Sequence, residues 1–163
     1  MAVADTRRQL FEEIAAEVAD PIRRYALRRT DPDTADDVLA ETLLVVWRRL
    51  DEVPPDGRLP WCYAVAANVL SNIRRGQKRQ HILVARIVAL DPPSATVDAP
   101  DLPDPAVHRA LASLRPADQE LLRLWAWEQL TPAEIATVLG MTPNAARIRL
   151  HRARGKFAEA MGR

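Results

Sequence analysis

Residues 130–156 read LTPAEIATVLGMTPNAARIRLHRARGK, and the helix start and stop signals in this stretch decide the fold. Thr131, followed three residues later by Glu134, has the spacing of a capping box at the N-terminus of a helix. Gly140 tolerates a positive φ angle and therefore ends that helix. Thr142 repeats the N-terminal signal almost immediately. The sequence therefore predicts two short helices joined by a tight turn, which is a helix-turn-helix.

The second helix of this motif has an apolar face and a cationic face. Its apolar positions recur at the spacing of one helix face, at Ala146, Leu150, Ala153 and Phe157. The helix also carries five Arg and Lys residues and no acidic residue before residue 157. Guanidinium groups can bind phosphates or donate two hydrogen bonds to guanine. We predict DNA contact by the arc opposite the apolar face, which consists of Arg147, Ile148, Arg149, His151 and Arg152. The alternative is an ordinary helical hairpin with a solvated basic face.

The composition of residues 91–105 separates two modules. This stretch, DPPSATVDAPDLPDP, is rich in proline and aspartate and has hardly any bulky apolar side chain, so it cannot form a core. A chain of 163 residues has room for two small domains. We predict an all-α protein with one helical domain at residues 1–88, a Pro/Asp-rich linker at 89–104 and a second helical domain at 105–163.

The charges are unevenly distributed along a chain whose formal net charge is +1. Residues 106–163 carry nine Lys and Arg against five Asp and Glu, whereas residues 81–105 carry one against four. The position of the cations favours nucleic-acid binding by the C-terminal domain. Their small number predicts modest affinity for DNA, so we expect a partner to hold the protein on DNA.

The sequence gives little support to an enzyme, a metal site or a membrane protein. Its three histidines are scattered, and His151 has no His or Cys companion at ligand spacing, so no metal and no cofactor is predicted. Cys62, the single cysteine, lies in an apolar helical pattern and is expected to be a buried thiol. Acidic residues such as Glu12 and Glu17 exclude a secretory signal, and no run of residues has membrane-spanning length. We therefore expect a cytoplasmic protein that is not inserted in a membrane.

Three helical stretches are predicted in the N-terminal domain. The first covers residues 6–20 and is interrupted by Pro21, after which residues 22–29 continue as a separate segment. The second covers residues 34–50, and the third covers residues 60–75. These patterns predict a small helical domain with loops rich in proline and charged residues between the helices.

The helix predicted at residues 34–50 is apolar on more than one face. Its core stripe is predicted at Leu39, Leu43, Val46 and Leu50. The opposite stripe consists of Asp37, Glu41, Leu44 and Arg48. Apolar residues also lie outside the core stripe, so either this helix is central in its domain or its outer face contacts another protein.

The third helix combines one aromatic residue, two amides and a basic end. These residues are Trp61, Asn68, Asn72, Arg74, Arg75, Lys78 and Arg79. Rings stack on unpaired bases, amides hydrogen-bond to base edges, and cations follow the nucleic-acid backbone. The alternative is structural, because Trp is commonly a core residue and cations are favourable at the C-terminus of any helix.

Three stretches follow one another in a specific order. They are DTADDVLAETLLVVWRRL (33–50), LPWCYAVAANVLSNIRRGQKR (59–79) and LRPADQELLRLWAWEQLTPAEIATVLGMTPNAARIRLHRARGKF (114–157). Together they resemble the bacterial RNA polymerase sigma factors of the extracytoplasmic function (ECF) group in the sigma-70 family. The resemblance covers nearly the whole chain. It implies a region 2 helical bundle and a region 4 helix-turn-helix domain, which bind the β and β′ subunits of core RNA polymerase and direct it to promoters. It also implies no catalytic activity and control by a separate anti-sigma factor.

The resemblance assigns roles to individual residues. Contact with core polymerase falls on Asp37, Ala40, Glu41, Leu44 and Arg48. The resemblance implies that residues 51–59, with Trp61, Asn68 and Asn72, melt and capture the minus-10 element. The cations implied to take part are Arg74, Arg75, Lys78 and Arg79. Contact with the minus-35 element falls on the five residues of the second helix-turn-helix helix named above.

Several residues depart from the family pattern. Ala40 stands where Gln is usual, so one hydrogen bond to polymerase is lost. Ile148 replaces a commoner small hydroxyl residue, which is expected to shift the promoter preference. Trp125 and Trp127 stand where aliphatic residues or Tyr are common, and we predict them as core of region 4, with partner contact as the minority interpretation.

An ordinary helix-turn-helix regulator is the main alternative function. Such a regulator would bind its operator tightly without polymerase. A sigma factor would bind DNA weakly alone and would initiate transcription specifically once core enzyme is added. A purely protein-binding helical adaptor is a second alternative, for which the cations of the helix-turn-helix would be incidental.

Overall fold

The computed structural model describes residues 2–88 and 104–162, and the regular secondary structure in these ranges is entirely helical. In chain order they are α1 (Ala2–Leu27), α2 (Pro32–Arg48), α3 (Arg58–Val88), α4 (Pro105–Ala112), α5 (Pro116–Ala126), α6 (Pro132–Leu139) and α7 (Pro143–Ala160), with a short 3-10 helix at Leu50–Glu52. The predicted all-α class is confirmed. The predicted linker falls almost entirely outside the described residues.

Backbone proximity groups the described residues into two compact units. The first contains the residues up to 52 and the described residues from 65 onward in α3. The second contains residues 53–64 and the described residues from 104 onward. Helices α1 and α2 therefore belong to the first unit and α4 to α7 to the second. The domain boundaries predicted from the sequence stay a prediction.

The first unit is built on the packing of α1 against α2. α1 buries Ile14, Val18 and Ile22, which recur every four residues and are almost completely inaccessible to solvent. α2 contributes Val38 and Val46, which are fully buried. Burial of an aliphatic side chain of this size stabilises the fold by roughly 1.5 to 3 kcal/mol. These contacts fix α2 in the unit and determine which of its faces stays in solvent.

Pro21 does not interrupt the first helix, so the predicted break at this residue was wrong. α1 continues through the proline from Ala2 to Leu27. A proline removes one backbone hydrogen bond and crowds the preceding turn of the helix. Val18 and Ile22 are fully buried on either side of Pro21, and their packing against the rest of the unit offsets this cost.

The buried face of α2 also differs from the predicted core stripe. Val38 and Thr42 are fully buried, whereas Leu39 and Leu43 are only half-buried. The Thr42 hydroxyl donates a hydrogen bond to the Val38 carbonyl oxygen at 2.7 Å, which satisfies this polar group inside the core. A pattern of apolar residues favours the two leucines because it counts Thr42 as polar.

Asp31 fixes the start of α2. Its carboxylate accepts hydrogen bonds from the Thr34 backbone N–H at 2.9 Å and from the Thr34 hydroxyl at 2.7 Å. These bonds lower the pKa of Asp31 because they favour the charged carboxylate, and the bond from the Thr34 backbone has the largest effect. The cap therefore stabilises the fold above the pKa of the unfolded-state carboxyl and loses this contribution as the pH falls through the lowered pKa of the folded state.

α3 spans 31 residues and continues well past its predicted end near Arg75. Residues 76–88, GQKRQHILVARIV, contain no proline, and most of them favour a helix, so nothing in the local sequence stops it. The extension leaves the large apolar side chains of Ile82, Leu83 and Val84 exposed.

Helices α6 and α7 form the predicted helix-turn-helix, with the predicted local signals in place. The Thr131 hydroxyl accepts a hydrogen bond from the Glu134 backbone N–H at 3.3 Å, and the Glu134 carboxylate accepts one from the Thr131 backbone N–H at 2.7 Å. Gly140 has a φ angle of 64°. The Thr142 hydroxyl oxygen accepts a hydrogen bond from the Ala145 N–H at 3.2 Å. Local hydrogen bonds therefore fix the starts of α6 and α7, and the left-handed conformation of Gly140 ends α6.

The second unit buries the facing sides of α5, α6 and α7, with Leu124 and Ile135 fully inaccessible to solvent. Trp125 is 39% exposed, so the prediction that it belongs to the core was wrong. Its ring lies beside the guanidinium group of Arg154, 4.5 Å from the ring centroid, and this cation–π contact covers one ring face. Trp127 is half-buried.

Candidate nucleic-acid interface

α7 presents its cationic side to solvent because its opposite side is anchored in the second unit. The anchor consists of the buried side chains of Ala146, Leu150 and Ala153, and the two alanines allow a close approach to the neighbouring helices. All residues of the predicted DNA-contacting arc are exposed: Arg147, Ile148, Arg149, His151 and Arg152. The structure therefore brings the five predicted residues together on one accessible helix surface.

Asn144 adds a polar residue to this arc that the sequence interpretation missed. Its side-chain oxygen accepts a hydrogen bond from Nη2 of Arg147 at 2.7 Å. The contact fixes the direction of the Arg147 guanidinium group near the N-terminal end of α7. The spacing of an amide three residues before an arginine on a helix was the signal that could have revealed it.

Arg149 and Arg152 differ from the rest of the arc because they also line a cavity between α5, the end of α6 and α7. The cavity has a volume of about 410 Å³, and its walls include Arg115 and Lys156. Lys156 forms an ion pair with Asp118 at 2.7 Å, and the carboxylate side chain is largely buried, which partly neutralises the cavity. The predicted minus-35 set thus divides into a flank beside Asn144 and a flank beside this basic cavity.

Residues 51–57 of the predicted minus-10 set precede α3, and its other residues lie on α3 in different surroundings. Trp61 is half-buried, whereas Asn68, Asn72, Lys78 and Arg79 are exposed. Several of these side chains bond to their own helix instead of extending freely. Nη2 of Arg75 donates a short hydrogen bond to the Asn72 side-chain oxygen, and Nε of Arg79 donates to the Arg75 carbonyl oxygen at 3.3 Å.

Arg74 has a structural contact that its sequence position did not suggest. Its Nη2 donates a hydrogen bond to the Arg29 carbonyl oxygen at 2.7 Å, across 45 positions of the chain. This contact ties α3 to the turn that follows α1. Arg74 therefore stabilises the first unit in addition to any contact with nucleic acid.

Replacing Arg74 by alanine is expected to lower the free energy of unfolding by roughly 1.5 kcal/mol, because a charge-assisted hydrogen bond to a part-buried carbonyl is lost. Urea unfolding of the full chain without DNA measures this change. Arg75→Ala removes the same charge but only a contact within α3, and it is expected to stay within about 0.5 kcal/mol of the unaltered protein. Equal stabilities of the two variants would contradict the structural role of Arg74.

The outer face of α2 is the third predicted site. Its five predicted residues are all exposed: Asp37, Ala40, Glu41, Leu44 and Arg48. Leu44 has 39% of its surface accessible, and it is an apolar residue among charged neighbours. The neighbouring Trp47 is covered in part by α1, since the Phe11 ring meets it edge-on with centroids 5.3 Å apart. This face therefore offers an aliphatic contact surrounded by both signs of charge.

A metal-binding cluster and a membrane-spanning helix are both absent from the described part of the chain. Among residues 2–88 and 104–162, no group of three or more His, Cys, Asp or Glu side chains is arranged to hold a metal ion. None of the helices in these ranges is both long and apolar enough to cross a membrane.

Comparison with known proteins identifies the family. Residues 105–157 match the family described as sigma-70, region 4. The chain is 32% identical to the RNA polymerase sigma factor CarQ of Myxococcus xanthus over 97% of this chain and 92% of that protein. It is also 32% identical to the ECF RNA polymerase sigma factor SigL of Mycobacterium tuberculosis, over 92% of this chain and 85% of that protein. The chain therefore belongs to the sigma-70 family of RNA polymerase sigma factors, in the ECF group.

Solved structures show that the fold is shared. The sigma factor RpoE of Bartonella quintana, determined in complex with the anti-sigma factor NepR, matches 93% of this chain and 96% of its own with a TM-score of 0.66 and 20% identity. CnrH, determined in complex with the cytosolic domain of CnrY, matches 95% of this chain and 89% of its own with a TM-score of 0.59 and 22% identity. At these identities the likeness concerns the fold alone.

Proposed function

We propose that the protein binds core RNA polymerase through the β and β′ subunits and directs it to specific promoters. The observation that carries this proposal is the exposed cationic arc of α7, which lies on the second helix of a helix-turn-helix in a chain of sigma-factor ancestry. A second helix of this kind enters the major groove of DNA and contacts base edges. The modest net charge agrees with a protein that depends on polymerase for stable DNA binding.

The minus-35 element is assigned to the arc of α7. Arg147 and Arg152 have guanidinium groups that can donate two hydrogen bonds to guanine, and Arg149 and His151 can contact phosphates or bases. Their exposure and the absence of acidic residues from this part of α7 support the assignment.

The minus-10 element is assigned to α3 and the loop before it. Trp61 supplies a half-buried ring for stacking, and the exposed amides of Asn68 and Asn72 can hydrogen-bond to base edges. The DNA backbone would be contacted by the cations Arg74, Arg75, Lys78 and Arg79. The Arg74 guanidinium group also donates a hydrogen bond to the Arg29 carbonyl oxygen.

The outer face of α2 is proposed to bind core polymerase. Leu44 provides an apolar contact, and Asp37, Glu41 and Arg48 provide charges on the same accessible face, whereas Ala40 offers no hydrogen bond. Apolar residues that become buried on binding, with charged residues around them, are typical of protein–protein interfaces. The anchoring of α2 through Val38 and Val46 keeps this face in solvent.

The protein is proposed to act in the cytoplasm, without a cofactor and without catalytic activity of its own, under the control of an anti-sigma factor. Support for the anti-sigma partner comes from two proteins of the same fold, since RpoE was determined with the anti-sigma factor NepR and CnrH with the cytosolic domain of CnrY.

Transcription of genomic DNA by purified core polymerase, with and without the protein, tests the proposal. New start sites are expected only when the protein is present, and mapping them identifies the promoter. A protein that binds duplex DNA tightly by itself and produces no new start sites would be an ordinary helix-turn-helix regulator. A start-site pattern unchanged by Arg147→Ala together with Arg152→Ala would favour a protein-binding adaptor.

A further inference from the structure

A large apolar side chain stands in the middle of the cationic arc of α7. Ile148 is 42% exposed, and at 100° per residue it points almost directly away from the buried positions Ala146 and Leu150. Its neighbours on the arc, Arg147 and Arg152, are exposed and charged. Burial of an exposed aliphatic group against a ligand is favourable, and on this helix the ligand that the surrounding cations attract is DNA.

The base edges in the major groove offer one aliphatic partner for such a side chain. Thymine carries a C5-methyl group there, whereas the other edge groups that distinguish base pairs are hydrogen-bond donors and acceptors. We propose that Ile148 is a specificity-determining residue that contacts the C5-methyl group of a thymine in the minus-35 element. The proposal rests on the proposed function, because it requires α7 to lie in the major groove.

The position of Ile148 next to Arg147 on α7 indicates where this thymine is expected. The Asn144 side-chain oxygen holds Nη2 of Arg147 at 2.7 Å, and the other N–H groups of the guanidinium stay available for a base. Consecutive helix residues point about 100° apart, so Arg147 and Ile148 contact different bases of the same element. The thymine read by Ile148 is therefore expected beside the position whose base preference depends on Arg147.

The test replaces each thymine of the minus-35 element by uracil in turn, which removes only the methyl group. Dissociation constants are measured for promoter duplexes and the protein assembled with core RNA polymerase. The unaltered protein is expected to bind about fourfold more weakly at one position, the value of one buried methyl group. Ile148→Ser is expected to bind the thymine and uracil duplexes equally at that position, and Ile148→Val is expected to keep part of the difference.

Two results would overturn the inference. One is equal affinity for thymine and uracil at every position, in a complex that still distinguishes its promoter from a scrambled duplex; this result leaves the sigma function intact. The other is a methyl effect that persists in Ile148→Ser, because another residue would then contact the methyl group. A complex that does not distinguish its promoter at all would contradict the proposed function itself, and the inference with it.

Discussion

Replacing Arg147 by alanine is expected to weaken the discrimination between the promoter and a duplex with one altered minus-35 base pair by roughly 1 to 3 kcal/mol, the range of a two-bond contact between arginine and guanine. Arg147 is exposed and is held by Asn144, so its replacement is expected to remove the proposed DNA contact without disturbing the core. Competition binding with all four base pairs at each position, using the protein assembled with core polymerase, measures the change.

Arg154→Ala is the matched control for this experiment. It removes the same charge from the same helix, but the Arg154 guanidinium lies beside the Trp125 ring, and Arg154 is seven residues farther along α7 than Arg147. This variant is expected to weaken binding to all duplexes by a similar small factor and to leave base preference unchanged. Equal base preferences of Arg147→Ala and the unaltered protein would contradict a base contact by Arg147.

Replacing Leu124 by alanine is expected to lower the free energy of unfolding by roughly 2 to 5 kcal/mol, because it removes a fully buried side chain and leaves a cavity. The core of the second unit is small, and a core of this size supplies little stability in reserve. Loss of the helix-turn-helix is therefore expected at a lower temperature and a lower urea concentration. Far-UV circular dichroism during urea unfolding of the full chain measures the shift.

Leu83→Ala is the control for the loss of the same side-chain atoms. Leu83 is 59% exposed on α3, so its truncation is expected to change the free energy of unfolding by less than about 0.5 kcal/mol. Similar losses for the two variants would show that packing around Leu124 is not what stabilises the second unit.

The helix-turn-helix could be predicted from the sequence because its signals are local. The capping box of Thr131 and Glu134 and the positive φ angle of Gly140 each depend on residues within a few positions of the chain. The exposed arc of α7 followed from helical periodicity once the apolar face was recognised. The exposure of the outer face of α2 was predicted from the same periodicity, although the buried face contains Val38 and Thr42 where Leu39 and Leu43 were expected.

The errors at Pro21, Thr42 and Trp125 concern features that residue type alone does not determine. The chain continues as a helix through Pro21 because buried neighbours offset the cost of the proline, and Thr42 enters the core because its hydroxyl bonds to its own helix. Trp125 is exposed although its residue type favours burial, and an arginine 29 positions away in the chain covers its ring.

The site shows the same division. Asn144 was missed although it lies three residues from Arg147 on one helix, because an amide among arginines has no single meaning in a sequence. The hydrogen bond of Arg74 could not be foreseen, since its partner is 45 positions away and is a backbone carbonyl, which every residue possesses. Roles that depend on distant backbone atoms leave no mark in the residue types.

In α7, the residues that anchor the helix and the residues of the outward arc form two separate sets. Ala146, Leu150 and Ala153 hold the helix in place, while every residue of the outward arc is exposed. Under the proposed function, substitutions on the arc are therefore expected to change which DNA is recognised without changing whether the chain folds. Duplicated copies of such a gene can diverge toward separate sets of target genes on one unchanged scaffold, and exchange of arc residues offers a route to regulators that do not interfere with one another in the same cell.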